Sequence, residues 1–347
     1  MLSVYTLEDS EKWDTIVRSF HEHDIYWLSG YVRTFQVHGD GDPLLFFYDD
    51  GATRGINVAM LRDIAKDDHF RGRLEEGRFF DLATPYGYGG WLIEGENAGP
   101  LSRSYFDWLE NNGVVSEFVR FHPLVKNQEA CRGFYEIDRL GEVVCMDLTS
   151  PEVIWKNLTS ENRNRIRKAI KNNVRVRHGS SSEIYEEFRR IYNATMDRNG
   201  AKKYYYFDRP FYEAVRKGLA RNARIFWAEK DGGVVAASMM IFANGYLNFH
   251  LSGSLEEYNT LASNNLIMYE AAIWGCENGY KTFLLGGGLG SKDDTLLRYK
   301  KTFHRGDRNH FFIGKKIIRP DLYKELVDMS GLNESPFFPQ YRAFSET

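Results

Sequence analysis

The segment Leu45–Leu61, LFFYDDGATRGINVAML, has a counterpart in Ile225–Ile241, IFWAEKDGGVVAASMMI, and this internal repeat constrains the fold more than any other feature of the chain. Each copy is an apolar run, an acidic turn containing glycine, and a second apolar run, which is the pattern of a β-hairpin. A second pair of matching segments follows in the same order. Trp108–Gly113 reads WLENNG and Trp274–Gly279 reads WGCENG. Both look like a helix end closed by Asn-Gly, where glycine takes the left-handed conformation. Each then runs into a strand, VVSEFVRF in the first copy and YKTFLLGG in the second. Two matches in one order imply duplication, each half reading as helix, hairpin strands, a further strand, helix and strand. Mixed α/β halves around central sheets are expected. The boundary is placed at Thr149–Ser150–Pro151, giving one domain over residues 1–150, a second over 151–318, and a C-terminal helix and tail over 319–347 that could pack back on the first.

A chain of 347 residues with 43% apolar and 15% aromatic residues can fill two cores. Its net charge of -3 excludes a generic nucleic-acid coater. Cys131, Cys145 and Cys276 make no disulfide framework and no C-x-x-C spacing, which points to a reducing compartment and a cytoplasmic enzyme. The start, MLSVYTLEDSEKW, lacks the features of a signal peptide, and no apolar run approaches the ~18 residues of a membrane span, so any membrane contact is expected to be peripheral.

Charge is distributed unevenly. Between Trp155 and His178 stand Lys156, Arg163, Arg165, Arg167, Lys168, Lys171, Arg175 and Arg177 against one acid, Glu161. Thr159 or Ser160 can cap a helix here, with Ile166, Ala169 and Ile170 as its buried stripe. In a slightly acidic chain such a run suggests a phosphate-rich partner, and Arg163, Arg167 and Lys168 are the candidates; a solvated helix face is the competing reading.

Two glycine-rich loops shape the rest of the search. Gly286–Gly290, GGGLG, follows a strand but satisfies neither G-x-G-x-x-G nor the Walker spacing, so a tight turn that lets a strand end approach a ligand is the better reading. In Thr84–Trp91, TPYGYGGW, Pro85 and the glycines shape a loop from which Tyr86 and Tyr88 can point into a cleft. Behind the first loop, DDTLLRYKKTF reads as a short helix packing Leu296, Tyr299 and Phe303, with Lys300 near the mouth of a cleft. His250, on the strand YLNFHLSG beside Phe249, reads as a packed core residue. G-x-S-x-G and H-E-x-x-H are absent, so neither a nucleophilic triad nor a metal site is expected.

From about Leu158 to Asp328 the chain resembles the Fem-type aminoacyl transferases. The resemblance rests on SENRNRIRKAIKNNVRV, RIFWAEKDGGVVAASMMIF, HLSGS, GYKTFLLGG, DDTLLRYKKTF and DLYKELVD, and more loosely on DIYWLSGYVRTF, the DDG hairpin and VRFHP in the first half. It implies an α/β fold of two GNAT (acyl-CoA N-acyltransferase)-like domains in tandem facing a cleft, and transfer of an aminoacyl group from aminoacyl-tRNA to a peptidoglycan precursor. The family's L-x-x-F-K-x-x-F motif falls on Tyr299–Lys300, giving Lys300 the catalytic role and placing Tyr299, Arg298 and Lys301 at the donor. Acceptor phosphates fall to Arg33 and to Lys202 or Lys203. The TPYGYGGW loop departs from the peptidoglycan enzymes and suggests a different acceptor; Tyr86 and Tyr88, with Phe249, are assigned to the acceptor side from the residues themselves. The family's R-F-D-P is Arg120-Phe121-His122-Pro123 here, so the acid is lost. Ser254–Asn265, SLEEYNTLASNN, carries none of the glycines with which acetyltransferases cradle the CoA pyrophosphate.

The expected function is an N-acyltransferase forming an amide on a phosphate-bearing cell-wall or cell-surface precursor, with aminoacyl-tRNA as donor and no resident cofactor. The alternatives are an N-acyltransferase using acetyl-CoA or another acyl-CoA in polysaccharide or secondary-metabolite synthesis, and a non-catalytic binding module on the same fold.

Overall fold

The computed structural model describes residues 1–306, 308–332 and 334–343. In chain order its first elements are β1 (Leu2–Tyr5), α1 (Ser10–Arg18), α2 (Ser29–His38), β2 (Asp42–Asp49), β3 (Arg54–Asp63), β4 (Phe80–Ala83), β5 (Leu92–Glu94), α3 (Gly99–Asn111), β6 (Val114–Arg120) and β7 (Glu136–Asp147). There follow α4 (Pro151–Asn157), α5 (Ser160–Lys171), β8 (Arg175–Gly179), α6 (Ser182–Arg198), α7 (Arg209–Gly218), β9 (Ala223–Lys230), β10 (Gly233–Ala243) and β11 (Tyr246–Ser254). The last are α8 (Ser263–Glu277), β12 (Thr282–Gly286), α9 (Thr295–Lys301), β13 (Asn309–Ile317) and α10 (Pro320–Ser330). They form two compact units, Met1–Leu140 with the segment from Phe311 onward, and Gly141–His310.

Both units are built on one sheet plan. In the first, β1, β2, β3 and β4 pair antiparallel in turn, with β5 on the side of β3; β4 pairs parallel with β6, and β6 antiparallel with β13. In the second, β8, β9, β10 and β11 pair antiparallel in turn, β11 pairs parallel with β12, and β12 antiparallel with β7. The repeated sequence segments are the hairpins β2–β3 and β9–β10. The helix before each parallel strand, α3 or α8, ends the same way. Asn112 and Asn278 each donate from Nδ2 to the carbonyl four residues back, Trp108 and Trp274, at 2.8 Å. Gly113 and Gly279 follow at φ +71° and +79°, in the left-handed region open to glycine.

The expected boundary shifts because of strand pairing. Residues 144–147 of β7 lie beside β12, so the second unit begins at Gly141 rather than at Pro151. It ends at His310 because residues 313–317 of β13 lie beside β6. The last four residues of the tail, and Asn333, lie outside the described residues.

In the first unit α3 buries Leu101, Tyr105 and Leu109 against Phe46, Leu82 and Val114. Val115, next along β6, faces the opposite side and meets Leu326 and Val327 of α10 together with Tyr341 of the tail. In the second unit Ile166 and Ala169 of α5, Ile267 and Ala271 of α8, and Leu297 and Phe303 in and after α9 share a core with Phe226, Met240 and Phe283 of the sheet, while α6 packs against β10 and β11 on the other face. Two expected core positions are corrected. Ile170 is 54% exposed; the third buried place on α5 belongs to Asn162, whose Oδ1 accepts from Asn265 Nδ2 at 2.9 Å. Leu297 rather than Leu296 enters the core, because Asp294 caps α9 and sets its phase.

Candidate active site

The parallel pairing of β11 with β12 is short. It runs from Tyr246 opposite Thr282 to Asn248 opposite Leu284 and then stops. Beyond that point β11 stays with β10 as far as Ser254, while β12 stays with β7 as far as Gly286. The sheet of the second unit therefore splits, with Phe249 on one arm and the glycine turn at the end of the other.

Lys300 spans this split. Its Nζ donates to the Gly287 carbonyl at 2.7 Å and lies 5.8 Å from the centre of the Phe249 ring. It is 7% exposed, deeper than a place at a mouth would suggest. Burial pushes the ammonium down to about 8, with Asp294 partly opposing the shift. The helix that carries it is fixed by Asp294, which accepts from Leu297 N–H at 2.8 Å and from Leu289 N–H at 2.9 Å. One carboxylate thus joins the first turn of α9 to the glycine turn. Gly288 must be glycine for this, since a Cβ there would come within 2.5 Å of Asp294 Oδ1. Tyr299 packs edge-on to Phe303 at 5.2 Å, and its buried hydroxyl has no hydrogen-bond partner among the described residues. Burial also raises its pKa, so the phenol stays protonated.

The other cations of the sequence reading have structural partners or lie apart. Lys301 pairs with Glu142 at 2.8 Å. Arg298 is exposed on α9, and Lys202 and Lys203 are exposed at a short 3₁₀ turn. Arg163 donates to the Leu158 carbonyl at 2.6 Å and also to that of Trp155, closing the α4–α5 connection, while Arg167 stacks over the Trp155 ring at 5.2 Å. Lys168 is exposed on α5. Arg33 donates to the Leu7 carbonyl from the face of α2 opposite Tyr31 and Phe35. Phe35 and Tyr31 of α2 meet Tyr86, by ring stacking at 5.7 Å and by a hydroxyl bond to its carbonyl, so Arg33, on the opposite face, is not grouped with that loop.

The TPYGYGGW loop follows β4, as Phe249 follows the paired part of β11, but here the split is closed. Thr84 N–H donates to the Phe118 carbonyl at 3.0 Å, Gly89 N–H to the Arg120 carbonyl at 2.7 Å, and Gly89 bridges Phe121. Asn127 Nδ2 ties the Gly89 and Trp91 carbonyls, and Trp27 Nε1 ties that of Gly90. Tyr88 packs against Tyr26, His122 and Phe311, at 5.4, 5.6 and 5.6 Å.

Sequence reasoning missed two buried acids of the first unit. Asp24 Oδ2 accepts from His122 Nε2 at 3.1 Å, both side chains being fully buried; His122 Nδ1 accepts from the Leu124 and Val125 amides, which fixes the tautomer. A carboxylate thus stands beside His122, brought there by Asp24 from far away in sequence. Glu117 accepts from the hydroxyls of Tyr105 and Tyr135, at 2.8 and 3.0 Å, and from Asn57 Nδ2 at 3.2 Å. An acid inside an apolar run such as VVSEFVRF was the available signal. Among the described residues no group of three or more His, Cys, Asp or Glu is placed to hold a metal, and no helix is long and apolar enough to cross a membrane.

Residues 160–301, which contain α5, the split sheet and Lys300, match the family model described as an acetyltransferase (GNAT) domain. The chain is a GNAT-fold acyltransferase. The repeated sheet plan makes it a tandem of two GNAT-like domains. No curated protein sequence matches it. Among solved structures, FemX aligns over 94% of this chain and 99% of its own, at 13% identity and a TM-score of 0.70. The C-terminal domain of a putative lysylphosphatidylglycerol synthetase from Agrobacterium fabrum aligns over 93% and 97%, at 14% identity and 0.57. L-PGS from Bacillus licheniformis aligns over 94% and 97%, at 14% identity and 0.56. The Fem-type resemblance read from the sequence therefore extends to the fold of nearly the whole chain.

Proposed function

We propose that this GNAT-fold acyltransferase forms an amide between an aminoacyl group carried on tRNA and an amine of a phosphate-bearing cell-envelope precursor, working in the cytoplasm without a resident cofactor. The observation that carries the reading is Lys300, a buried ammonium presented at a split sheet by a carbonyl and an aromatic face, with no carboxylate among the described residues bonded to it. Attack of the amine on the ester carbon puts negative charge on the carbonyl oxygen. Collapse of the adduct breaks the C–O bond and leaves the ribose hydroxyl, which needs a proton. An ammonium of lowered pKa at this position stabilises the first charge and can supply the second proton, to be replaced from the ammonium formed on the acceptor. Tyr299, with its unpartnered hydroxyl, offers the donor a hydrogen bond beside Lys300.

Support for the donor comes from the names of the fold neighbours, FemX and lysylphosphatidylglycerol synthetase, and from the segment Ser254–Asn265, which enters α8 through a 3₁₀ turn and Ala262 without a glycine loop. An acyl-CoA donor is the second reading, favoured by the acetyltransferase family model. The deciding experiment incubates the protein with radiolabelled aminoacyl-tRNA or acetyl-CoA and with lipid- or nucleotide-linked peptide and sugar amines. Label transfer abolished by RNase supports the proposal; transfer from acetyl-CoA that survives RNase overturns it in favour of the second reading.

A further inference from the structure

The exposed cations of α5 form one surface, and its shape says what kind of anion it suits. On α5 the buried residues Asn162, Ile166 and Ala169 define one side, and the helical period puts Arg167, Lys168 and Lys171 together on the opposite, exposed side. Arg175 and Arg177 are exposed on β8, the edge strand of this sheet, but on its other face, because Val176 between them packs into the core that α5 covers. Neutralisation is sparse. Glu161 takes Arg165 and Glu229 takes Arg177, while among the described residues no carboxylate pairs with Arg167, Lys168, Lys171 or Arg175. Trp155 lies under the Arg167 guanidinium and holds it outward along the helix.

We propose that this surface docks the phosphodiester backbone of an RNA, the body of the tRNA whose acylated end reaches Lys300, and does not hold acceptor phosphates. This rests on the aminoacyl-tRNA reading above. The geometry favours a polyanion because the cations stand along a convex helix about 18 Å long, which cannot enclose a diphosphate but can follow a chain of phosphates. A bilayer is less suited. Ile170 is the one large apolar side chain exposed among the described residues of the run, and it borders the buried stripe instead of the basic face. Arg163 takes no part, being held by the Leu158 carbonyl.

The test uses the full chain, fluorescently labelled unfractionated tRNA, and NaCl titrated from low to physiological concentration. Replacing Arg167, Lys168 and Lys171 together by Ala is expected to weaken binding and to lower the slope of log K against log salt by about 2–3, at roughly 0.7–0.9 per phosphate contact. Lys217→Ala, at an exposed lysine of α7, is expected to leave the slope unchanged. An unchanged melting temperature of the triple variant shows that the fold is intact. A wild-type chain that binds and uses aminoacyl-tRNA, with the same slope in the triple variant, overturns the surface and leaves the proposed function standing. A wild-type chain that neither binds tRNA nor draws acyl groups from it overturns both. Binding to phosphatidylglycerol vesicles that the triple variant loses, without tRNA binding, assigns the surface to a membrane and also overturns the inference.

Discussion

Lys300 and Glu117 are both ionisable groups buried in apolar surroundings, yet they call for different experiments. With its pKa lowered from 10.5 to about 8, charged Lys300 opposes folding by about 3 kcal/mol below pH 8, and this cost is relieved as pH rises from about 8 toward 10.5. Lys300→Met should therefore be at least as stable as the parent at pH 7, while kcat falls 10²–10³-fold, about 3–4 kcal/mol of transition-state stabilisation. Steady-state rates with the true donor, beside a thermal melt, check both halves; comparable turnover would make Lys300 structural. If the ammonium is the active form, kcat of the parent should decline as pH rises through about 8, well below the range of an ordinary lysine. Glu117 is the opposite case. Burial raises its carboxyl to about 7 despite the bonds from Tyr105, Tyr135 and Asn57. The folded chain then keeps a proton that the unfolded chain has released, so this group contributes stability that is present at pH 4.5 and lost as pH rises to 7. Unfolding free energies at pH 5 and 7.5 should differ less in Glu117→Gln than in the parent, by roughly 1–3 kcal/mol.

Among the elements, the C-terminal segment is the one whose hold on the first unit is most specific. Arg342 inserts between Asp81 and Asp67, at 2.5 and 3.1 Å, and Asp81 also takes Arg62 at 2.5 Å and the Tyr341 hydroxyl. Burial opposes charge on Asp81, but Arg342 and Arg62 outweigh it and hold the carboxyl below its ordinary value. Removing one partner from such a buried set leaves the other uncompensated, so Arg342→Met is expected to destabilise by about 3–5 kcal/mol, read by urea unfolding. An effect under 1 kcal/mol would show that the segment is a loose appendage. The hairpins, the Asn-Gly helix ends and the short helix of Lys300 were legible because each is a local pattern of a few adjacent residues. Asp24 beside His122, Asp81 beside Arg342, and the carbonyl that holds Lys300 were not, since they join residues remote in sequence. The errors at Ile170 and Leu296 have one cause. Apolarity does not set helix phase when a buried asparagine takes a core position, as Asn162 does, or when a cap such as Asp294 fixes the first turn.

For the whole molecule, the two repeats use one plan to different ends. In the second unit the gap beyond the parallel pair is open and receives Lys300; in the first it is stitched by Thr84, Gly89 and Asn127. On the proposed function, only the open gap of the second unit would take a donor, so one labelled product per chain is the expected yield of a quenched, single-turnover experiment. Each unit's sheet also depends on a strand from outside the obvious half. Residues 1–150 expressed alone lack β13, α10 and Arg342, leaving Val115 and the edge of β6 uncovered, so they are expected not to fold. Residues 141–310 retain β7 beside β12 and should show a cooperative melt by circular dichroism; failure of that fragment would show that the division at Gly141 is not one of stability. The strand plan bears on how the protein is made. A ribosome delivers residues 1–140 before the segment from Phe311, so their sheet is incomplete until that segment has left the exit tunnel, and Arg342 follows later still. The second half can therefore settle before the first, and the earlier-made half waits with an open strand edge until β13 arrives, the interval in which a chaperone would have most to protect.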